Sequence, residues 1–290
     1  MTLLSLLEGS PTLLIGLAML AGLLVGSFLN VVIYRLPVMM ERAWKQEARM
    51  MLELPEEPDT STFNLALPAS SCPHCGHKIR WYENVPLISW LVLRGKCSAC
   101  SAPISTRYPI IECVAAIMAG ITAWQVGYSD WLPALIIAGW CLLALAMIDF
   151  DTTLLPDSMT YPLLWAGLLL AVMGISPVSL TDAVIGAAAG YLTLWSVYWA
   201  FKLLTGKEGM GYGDFKLLAA LGAWLGWQML PLVIVLSSLV GAVVGGLLML
   251  SGLIKRDQGI PFGPYLAGAG WLALLWGQDI VTLYLGLFKY

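Results

Sequence analysis

The chain has 290 residues, of which 59% are hydrophobic and only 11% are charged. Soluble domains carry about 25% charged residues, so this composition excludes an ordinary soluble protein and indicates an integral membrane protein. The net charge of −3 comes with no basic nucleic-acid surface, and we expect membrane lipid but no nucleic acid as a partner. Six cysteines in so long a chain do not indicate a secreted disulfide scaffold.

The first apolar run covers residues 13–33, about the 20 residues needed to cross a bilayer. No Lys or Arg precedes it, whereas a cleavable signal peptide has a positively charged start. We therefore predict a retained transmembrane helix with its N-terminus outside the cytoplasm. Asn30 lies within this run, where it either forms a hydrogen bond between helices or contacts a substrate or cofactor.

Residues 37–108 form a second region that is richer in prolines and charges. A helix is predicted over residues 38–53 and a flexible link over residues 54–68. Two C-x-x-C pairs follow, with residues 76–96 between them, and two such turns present four thiolates for a tetrahedral metal site. This spacing predicts a zinc-ribbon-like domain with a structural Zn2+. The predicted ligands are Cys72, Cys75, Cys97 and Cys100.

Seven further apolar runs complete the chain, so the predicted fold class is an all-α polytopic membrane protein with about eight transmembrane helices. We divide it into a first helix over residues 1–36, a small cytoplasmic domain over residues 37–108 and a seven-helix membrane core over residues 109–290. Residues 215–230 are short for a span, and we predict that this segment begins inside the helix bundle. The runs cover residues 110–126, 131–148, 159–175, 181–204, 215–230, 231–254 and 263–285.

The distribution of cations sets the predicted orientation. Eight crossings with an outside N-terminus place fourteen of the 15 Lys and Arg residues on the cytoplasmic side, and this asymmetry satisfies the positive-inside rule. The last inside loop contributes Lys255 and Arg256, while Lys289 is left outside. An odd number of crossings would break the asymmetry.

Two aspartates are candidate catalytic groups. Asp214 ends the stretch GMGYGD at residues 209–214, and Asp149 directly follows an apolar run. Two crossings separate them, so both lie on the same side of the membrane. Carboxylates at such depth are costly and indicate function, and two in one dehydrated site share a proton, which equips them to activate water and protonate a peptide carbonyl. Helix capping is the alternative role, and it suits Asp151 and Asp157 best.

These motifs together resemble the bacterial prepilin peptidases, the type IV prepilin leader peptidase family of aspartic proteases. The similarity extends over almost the whole chain, and the combination is highly specific, whereas GYGD alone is a weaker signal. Besides the paired C-x-x-C turns, it rests on GSFLNVVIYRLP at residues 26–37, RYPIIE at 107–112, IDFDTTLLPD at 148–157, GMGYGDFK at 209–216 and PFGPYLA at 261–267.

The resemblance implies that Asp149 and Asp214 are the catalytic pair. It implies cleavage of the basic leader peptide of type IV prepilins and type II secretion pseudopilins, after a glycine, at the cytoplasmic face of the bacterial inner membrane. Family members with the cysteines also N-methylate the new N-terminal residue with S-adenosylmethionine, although this sequence has no recognisable methyl-donor motif. Glu112 is a charge in an apolar run; it either forms a hydrogen bond within the bundle or faces substrate or donor.

Three other functions fit parts of the sequence. A peptidase without methyltransferase activity differs only in methyl transfer. An ion-coupled transporter would use Asp149 and Asp214 midway through the bundle, but both follow or begin apolar runs and no inverted repeat is found. A zinc-ribbon membrane scaffold without chemistry would leave both aspartates unexplained.

Overall fold

The structure is a computed structural model that describes residues 3–55, 62–252 and 260–287. The described residues contain ten α-helices, two short 3-10 helices at Trp81–Asn84 and Trp227–Met229, and no strand. The α-helices are α1 (Leu3–Gly9), α2 (Pro11–Met51), α3 (Ile88–Val92), α4 (Arg107–Val126), α5 (Trp131–Thr152), α6 (Asp157–Val172), α7 (Leu180–Thr205), α8 (Tyr212–Leu225), α9 (Leu230–Leu250) and α10 (Gly263–Gly286).

Six of these helices are long and apolar enough to cross a membrane, with α9 counted together with the 3-10 turn before it. The predicted all-α polytopic membrane fold is therefore confirmed. The predicted number of eight is approximate, because α6 has 16 residues and α8 has 14, which is short for a span. The cations at 255, 256 and 289 that contribute to the predicted orientation lie outside the described residues.

The chain divides into two compact units, Met1–Tyr128 and Ser129–Tyr290. In the first unit α2 packs along α4. Gly22 and Gly26 make this close packing possible, because a Cβ atom at Gly22 would lie 2.5 Å from Ala116 Cα and one at Gly26 would lie 2.7 Å from Glu112 Cα. The small residues therefore set the distance between the two membrane helices.

Helix α2 is longer than the sequence predicts. Its 41 residues span about 60 Å at 1.5 Å per residue, so the apolar run over residues 13–33 and the helix predicted over residues 38–53 are one continuous element. Pro37 lies inside it. A proline removes one backbone hydrogen bond and crowds the preceding turn, which weakens a helix at that point but does not have to end it.

Residues 62–68 of the predicted flexible link contain a defined turn. Residues 56–61 of that link lie outside the described residues, but Asn64 caps a turn by accepting hydrogen bonds from the N–H groups of Ala66 and Leu67, at 2.8 and 2.7 Å. Arg35, buried on α2, donates to the carbonyl oxygens of Asn64 and Pro68 at 2.9 and 2.7 Å. One guanidinium therefore fixes the turn to the helix.

Helix α8 forms the core of the second unit, where it packs against α6, α7 and α10. Almost every side chain from Asp214 to Trp224 is buried. Gly222 faces Gly186 of α7 so closely that a Cβ atom at Gly222 would lie 2.1 Å from the Gly186 carbonyl oxygen. A helix surrounded by protein does not have to match the thickness of the bilayer, which explains why α8 is short, as its sequence predicts.

Candidate active site and metal site

The four predicted zinc ligands form one cluster. The sulfur atoms of Cys72, Cys75, Cys97 and Cys100 all lie within 4.8 Å of one another, and all four cysteines are free thiols. The Sγ atoms of Cys72 and Cys100 are 3.8 Å apart, which equals the edge of about 3.8 Å expected for a tetrahedron with Zn–S bonds of about 2.3 Å. This donor set fits a structural zinc ion, and the cluster could bind a metal.

The two C-x-x-C turns have the same backbone structure. In the first, the Cys72 N–H donates to the His77 carbonyl and the Gly76 N–H donates to the Cys72 carbonyl, both at 2.9 Å. In the second, the Cys97 N–H donates to the Ala102 carbonyl at 2.8 Å, and the Cys97 carbonyl accepts the equivalent backbone hydrogen bond at 2.9 Å. Backbone N–H groups of the turns point at the sulfurs, and they lower the pKa of the Cys72 thiol to about 7. A lower pKa favours the thiolate that binds metal.

Glu83 connects the two turns. Its carboxylate accepts hydrogen bonds from the Ser98 hydroxyl at 2.6 Å and from the Arg80 N–H at 2.9 Å, and it lies 3.2 Å from His77 Nε2. His77 follows the first C-x-x-C turn and Ser98 lies within the second. The Arg80 and Ser98 bonds lower the pKa of Glu83 to about 2, so the carboxylate is ionised at neutral pH and links the two halves of the cluster.

Asp149 lies in the last turn of α5 and is only 5% exposed. Its Oδ2 atom accepts a hydrogen bond of 2.9 Å from the N–H of Gly263, the first residue of α10. The positive end of the α10 dipole therefore points at this carboxylate and stabilises its charged form. As the sequence predicts, Asp149 is deeper than Asp151 and Asp157, which are exposed.

Asp214 lies in the first turn of α8 and is 6% exposed. Leu155 packs both against Gly213, which precedes Asp214, and against Gly263, which contacts Asp149, so the two carboxyl groups that the sequence singles out lie in the same region of the second unit. The Oδ1 atom of Asp214 is buried and has no hydrogen-bond partner among the described residues. A buried carboxyl oxygen without a partner is costly, and it is available to a proton, a water molecule or a substrate group.

Glycines bring the backbone close to this site. A Cβ atom at Gly263 would lie 2.6 Å from Asp149 Oδ2 and 3.2 Å from Leu155 Cδ2. A Cβ atom at Gly213 would lie 2.7 Å from Leu155 Cβ. Leu155 therefore packs against the glycines next to both aspartates, and neither glycine has room for a side chain.

An ion pair lies next to the site. Lys216, two residues after Asp214, places its Nζ atom 2.7 and 2.8 Å from the two carboxylate oxygens of Asp157 at the start of α6. This contact ties the N-terminal part of α8 to the start of α6. Asp157 thus pairs with a lysine across helices, which goes beyond the capping role that its sequence position suggests.

The two polar residues left open by the sequence have partners in the first unit. Asn30 Nδ2 donates to the carbonyls of Gly26 and Tyr108, both at 3.2 Å, so it forms the hydrogen bond between helices. Glu112 is buried on α4 and accepts a hydrogen bond of 2.7 Å from the Leu87 N–H. Both residues therefore have a hydrogen-bond partner within the protein, and a contact of either residue with substrate or donor stays a prediction.

Sequence reasoning missed two residues that the structure brings to these sites. Gly263 lies in PFGPYLA, whose position after the last loop gives no indication that it contacts Asp149, 114 residues earlier. Glu83 follows the first C-x-x-C turn in a region with several charges. A glycine between two prolines at the start of a helix is the one local signal for Gly263, since such a position favours close backbone approach.

Two buried carboxyl groups in one helix bundle are an arrangement that could carry out acid–base chemistry. Comparison with known proteins gives the family. Residues 20–126 match the Bacterial Peptidase A24 N-terminal domain, and residues 136–246 match the Type IV leader peptidase family.

Curated relatives cover the whole chain. A protein of Stutzerimonas stutzeri is 58% identical over 285 residues and one of Pseudomonas aeruginosa is 55% identical over 285 residues, each match covering 98% of both chains. A protein of Aeromonas hydrophila is 56% identical over 287 residues, or 99% of both chains. All three are named prepilin leader peptidase/N-methyltransferase, and the chain belongs to this family. No solved structure matches the chain.

Proposed function

We propose that this protein cleaves the leader peptide from type IV prepilins and type II secretion pseudopilins and then N-methylates the new N-terminal residue with S-adenosylmethionine. Family membership over the whole chain supports both activities. Six helices that are long and apolar enough to cross a membrane support a location in the bilayer, where an apolar substrate helix would lie. The observation that carries the peptidase activity is the buried pair of Asp149 and Asp214.

Asp149 and Asp214 are the proposed catalytic residues, and their surroundings suggest different roles. Asp149 accepts the Gly263 N–H at the N-terminus of α10, an environment that favours a carboxylate. Asp214 keeps an unpartnered, buried oxygen, an environment that favours a protonated carboxyl. Asp149 then removes a proton from water as the water oxygen attacks the scissile carbonyl carbon. Asp214 gives its proton to the carbonyl oxygen, which forms a gem-diol. When the C–N bond breaks, the leaving amine takes up the proton held by Asp149 and a gem-diol hydroxyl returns a proton to Asp214, so both carboxyl groups regain their starting state.

A structural Zn2+ is the proposed partner of Cys72, Cys75, Cys97 and Cys100, as the spacing and the distances of the sulfurs support. The ion would hold the two C-x-x-C turns together and takes no part in peptide cleavage. We place this domain and the aspartates on the cytoplasmic side of the inner membrane and the N-terminus in the periplasm. The positive-inside distribution of Lys and Arg supports this orientation.

The proposed function is tested by incubating the purified protein with a prepilin and S-adenosylmethionine and measuring the mass of the product. A shortened pilin that carries one added methyl group is the expected result. A shortened but unmethylated pilin would identify a peptidase without methyltransferase activity. An intact prepilin in the presence of folded protein would contradict the proposal and favour a transporter or scaffold.

A further inference from the structure

Helix α3 exposes an apolar face in the charged, cysteine-bearing part of the chain. Ile88, Leu91 and Val92 are 60%, 58% and 75% exposed. Their spacing of three and four residues puts them on one side of the helix. The other side is fixed to the protein, since the Trp90 ring packs on Gly95 and its Nε1 donates to a backbone carbonyl at 3.3 Å. Clustered exposed apolar side chains indicate a contact surface.

The start of α3 lies beside the first turns of a membrane-spanning helix. The Leu87 N–H donates to Glu112 at 2.7 Å, and Glu112 lies five residues into α4, about 7.5 Å from its start at 1.5 Å per residue. Leu87 is also the centre of a γ-turn with φ of +60° that is closed by a hydrogen bond from the Ile88 N–H to the Pro86 carbonyl. The bond to Glu112 fixes the start of α3 beside α4, and the γ-turn sets the direction in which α3 leaves it.

The charges around α3 match an anionic surface. Exposed Arg94 and Lys96 follow the helix directly. Tyr108 and Ile110, near the start of the candidate membrane span α4, are also exposed. An apolar helix face flanked by basic side chains is the composition of segments that lie in the interface of anionic membranes.

We propose that α3 is an interfacial anchor, whose Ile88, Leu91 and Val92 side chains enter the boundary between headgroups and acyl chains of an anionic bilayer. Glu112 acts as the buried acceptor that holds α3 at this depth. The anchor keeps the cysteine-bearing domain against the membrane surface, a role that does not depend on peptide cleavage or methyl transfer.

The test uses the full-length protein in nanodiscs of phosphatidylethanolamine and phosphatidylglycerol that contain a phospholipid with a diazirine on its acyl chain. After irradiation, lipid adducts are mapped by mass spectrometry. Met50 of α2 is the internal control, because it is 77% exposed but lies about 30 Å along α2 from Asn30, the residue that contacts Tyr108 of α4. We expect adducts on residues 88–92 at several-fold higher yield than around Met50.

Two variants of Glu112 test whether lipid contact at α3 depends on the hydrogen bond that holds the helix in place. Glu112→Gln keeps a hydrogen-bond acceptor and is expected to keep the adducts on α3, whereas Glu112→Leu removes it and is expected to reduce them several-fold. Adducts on α3 no more frequent than around Met50 in the unchanged protein would overturn the proposal.

Discussion

Replacement of Gly263 by alanine tests whether this glycine positions the proposed catalytic carboxylate. A Cβ atom there would lie 2.6 Å from Asp149 Oδ2 and 3.0 Å from its Cγ atom, so either the carboxylate or the start of α10 has to shift. The 2.9 Å hydrogen bond from the Gly263 N–H is then lost or lengthened. A hydrogen bond to a charged group contributes about 1.5–3 kcal/mol, and a tenfold change in rate corresponds to about 1.4 kcal/mol. We therefore expect kcat for prepilin cleavage to fall by about ten- to a hundredfold.

The assay measures kcat and KM separately, because a residue that positions a catalytic group changes kcat more than KM. Gly268→Ala is the matched control on the same helix, since a Cβ atom there meets nothing within 4 Å. It is expected to leave both constants unchanged. A Gly263→Ala enzyme that folds and keeps its full kcat would refute the positioning role. An equal loss of activity in both variants would show that the effect is not specific to position 263.

Three further predictions concern packing and charge. Gly222→Ala is expected to destabilise the protein by about 1–3 kcal/mol through overpacking against α7. Gly246→Ala is the control and is expected to leave stability unchanged, because a Cβ atom at Gly246 has open space. Thermal unfolding in detergent compares the two variants. Asp157→Asn removes the pair with Lys216 and is expected to reduce kcat less than tenfold, because a partly exposed pair contributes about 0–1 kcal/mol. Glu83→Gln is expected to speed zinc loss to a chelator at pH 7. The pKa of Glu83 is lowered to about 2 in the folded protein. The ionised Glu83 side chain therefore stabilises the folded state fully when the pH is above the pKa of an ordinary glutamate, and this stabilisation is lost as the pH falls towards 2.

The features of the two sites that depend on residues close together in the sequence could be predicted from the sequence. Cys72 and Cys75 lie in one turn, and the repeat of that turn supplies the other two ligands, so spacing alone defined the cluster. Asp149 and Asp214 lie where apolar helices end and begin, and the count of crossings places them on the same side. Short-range pattern and membrane topology are sufficient for both sites.

The remaining features depend on contacts between distant segments. Gly263 and Asp149 are 114 residues apart, with α6 to α9 between them, so their contact depends on the tertiary structure. The burial of α8 likewise depends on the helices around it and not on a pattern in its own sequence. At Pro37 the local sequence predicts the wrong structure. A proline next to charged residues suggests the end of a helix, but the structure continues α2 through it, because the loss of one hydrogen bond is smaller than the rest of a 41-residue helix contributes.

The most direct test of the proposed catalytic pair is the mass of a prepilin after incubation with purified Asp149→Asn and Asp214→Asn variants. Asp151→Asn serves as the control, because Asp151 is exposed and only two residues from Asp149. We predict that the first two variants fold and leave the prepilin intact, while the control removes the leader at close to the rate of the unchanged protein. Cleavage by either Asp149→Asn or Asp214→Asn would contradict the two-aspartate mechanism.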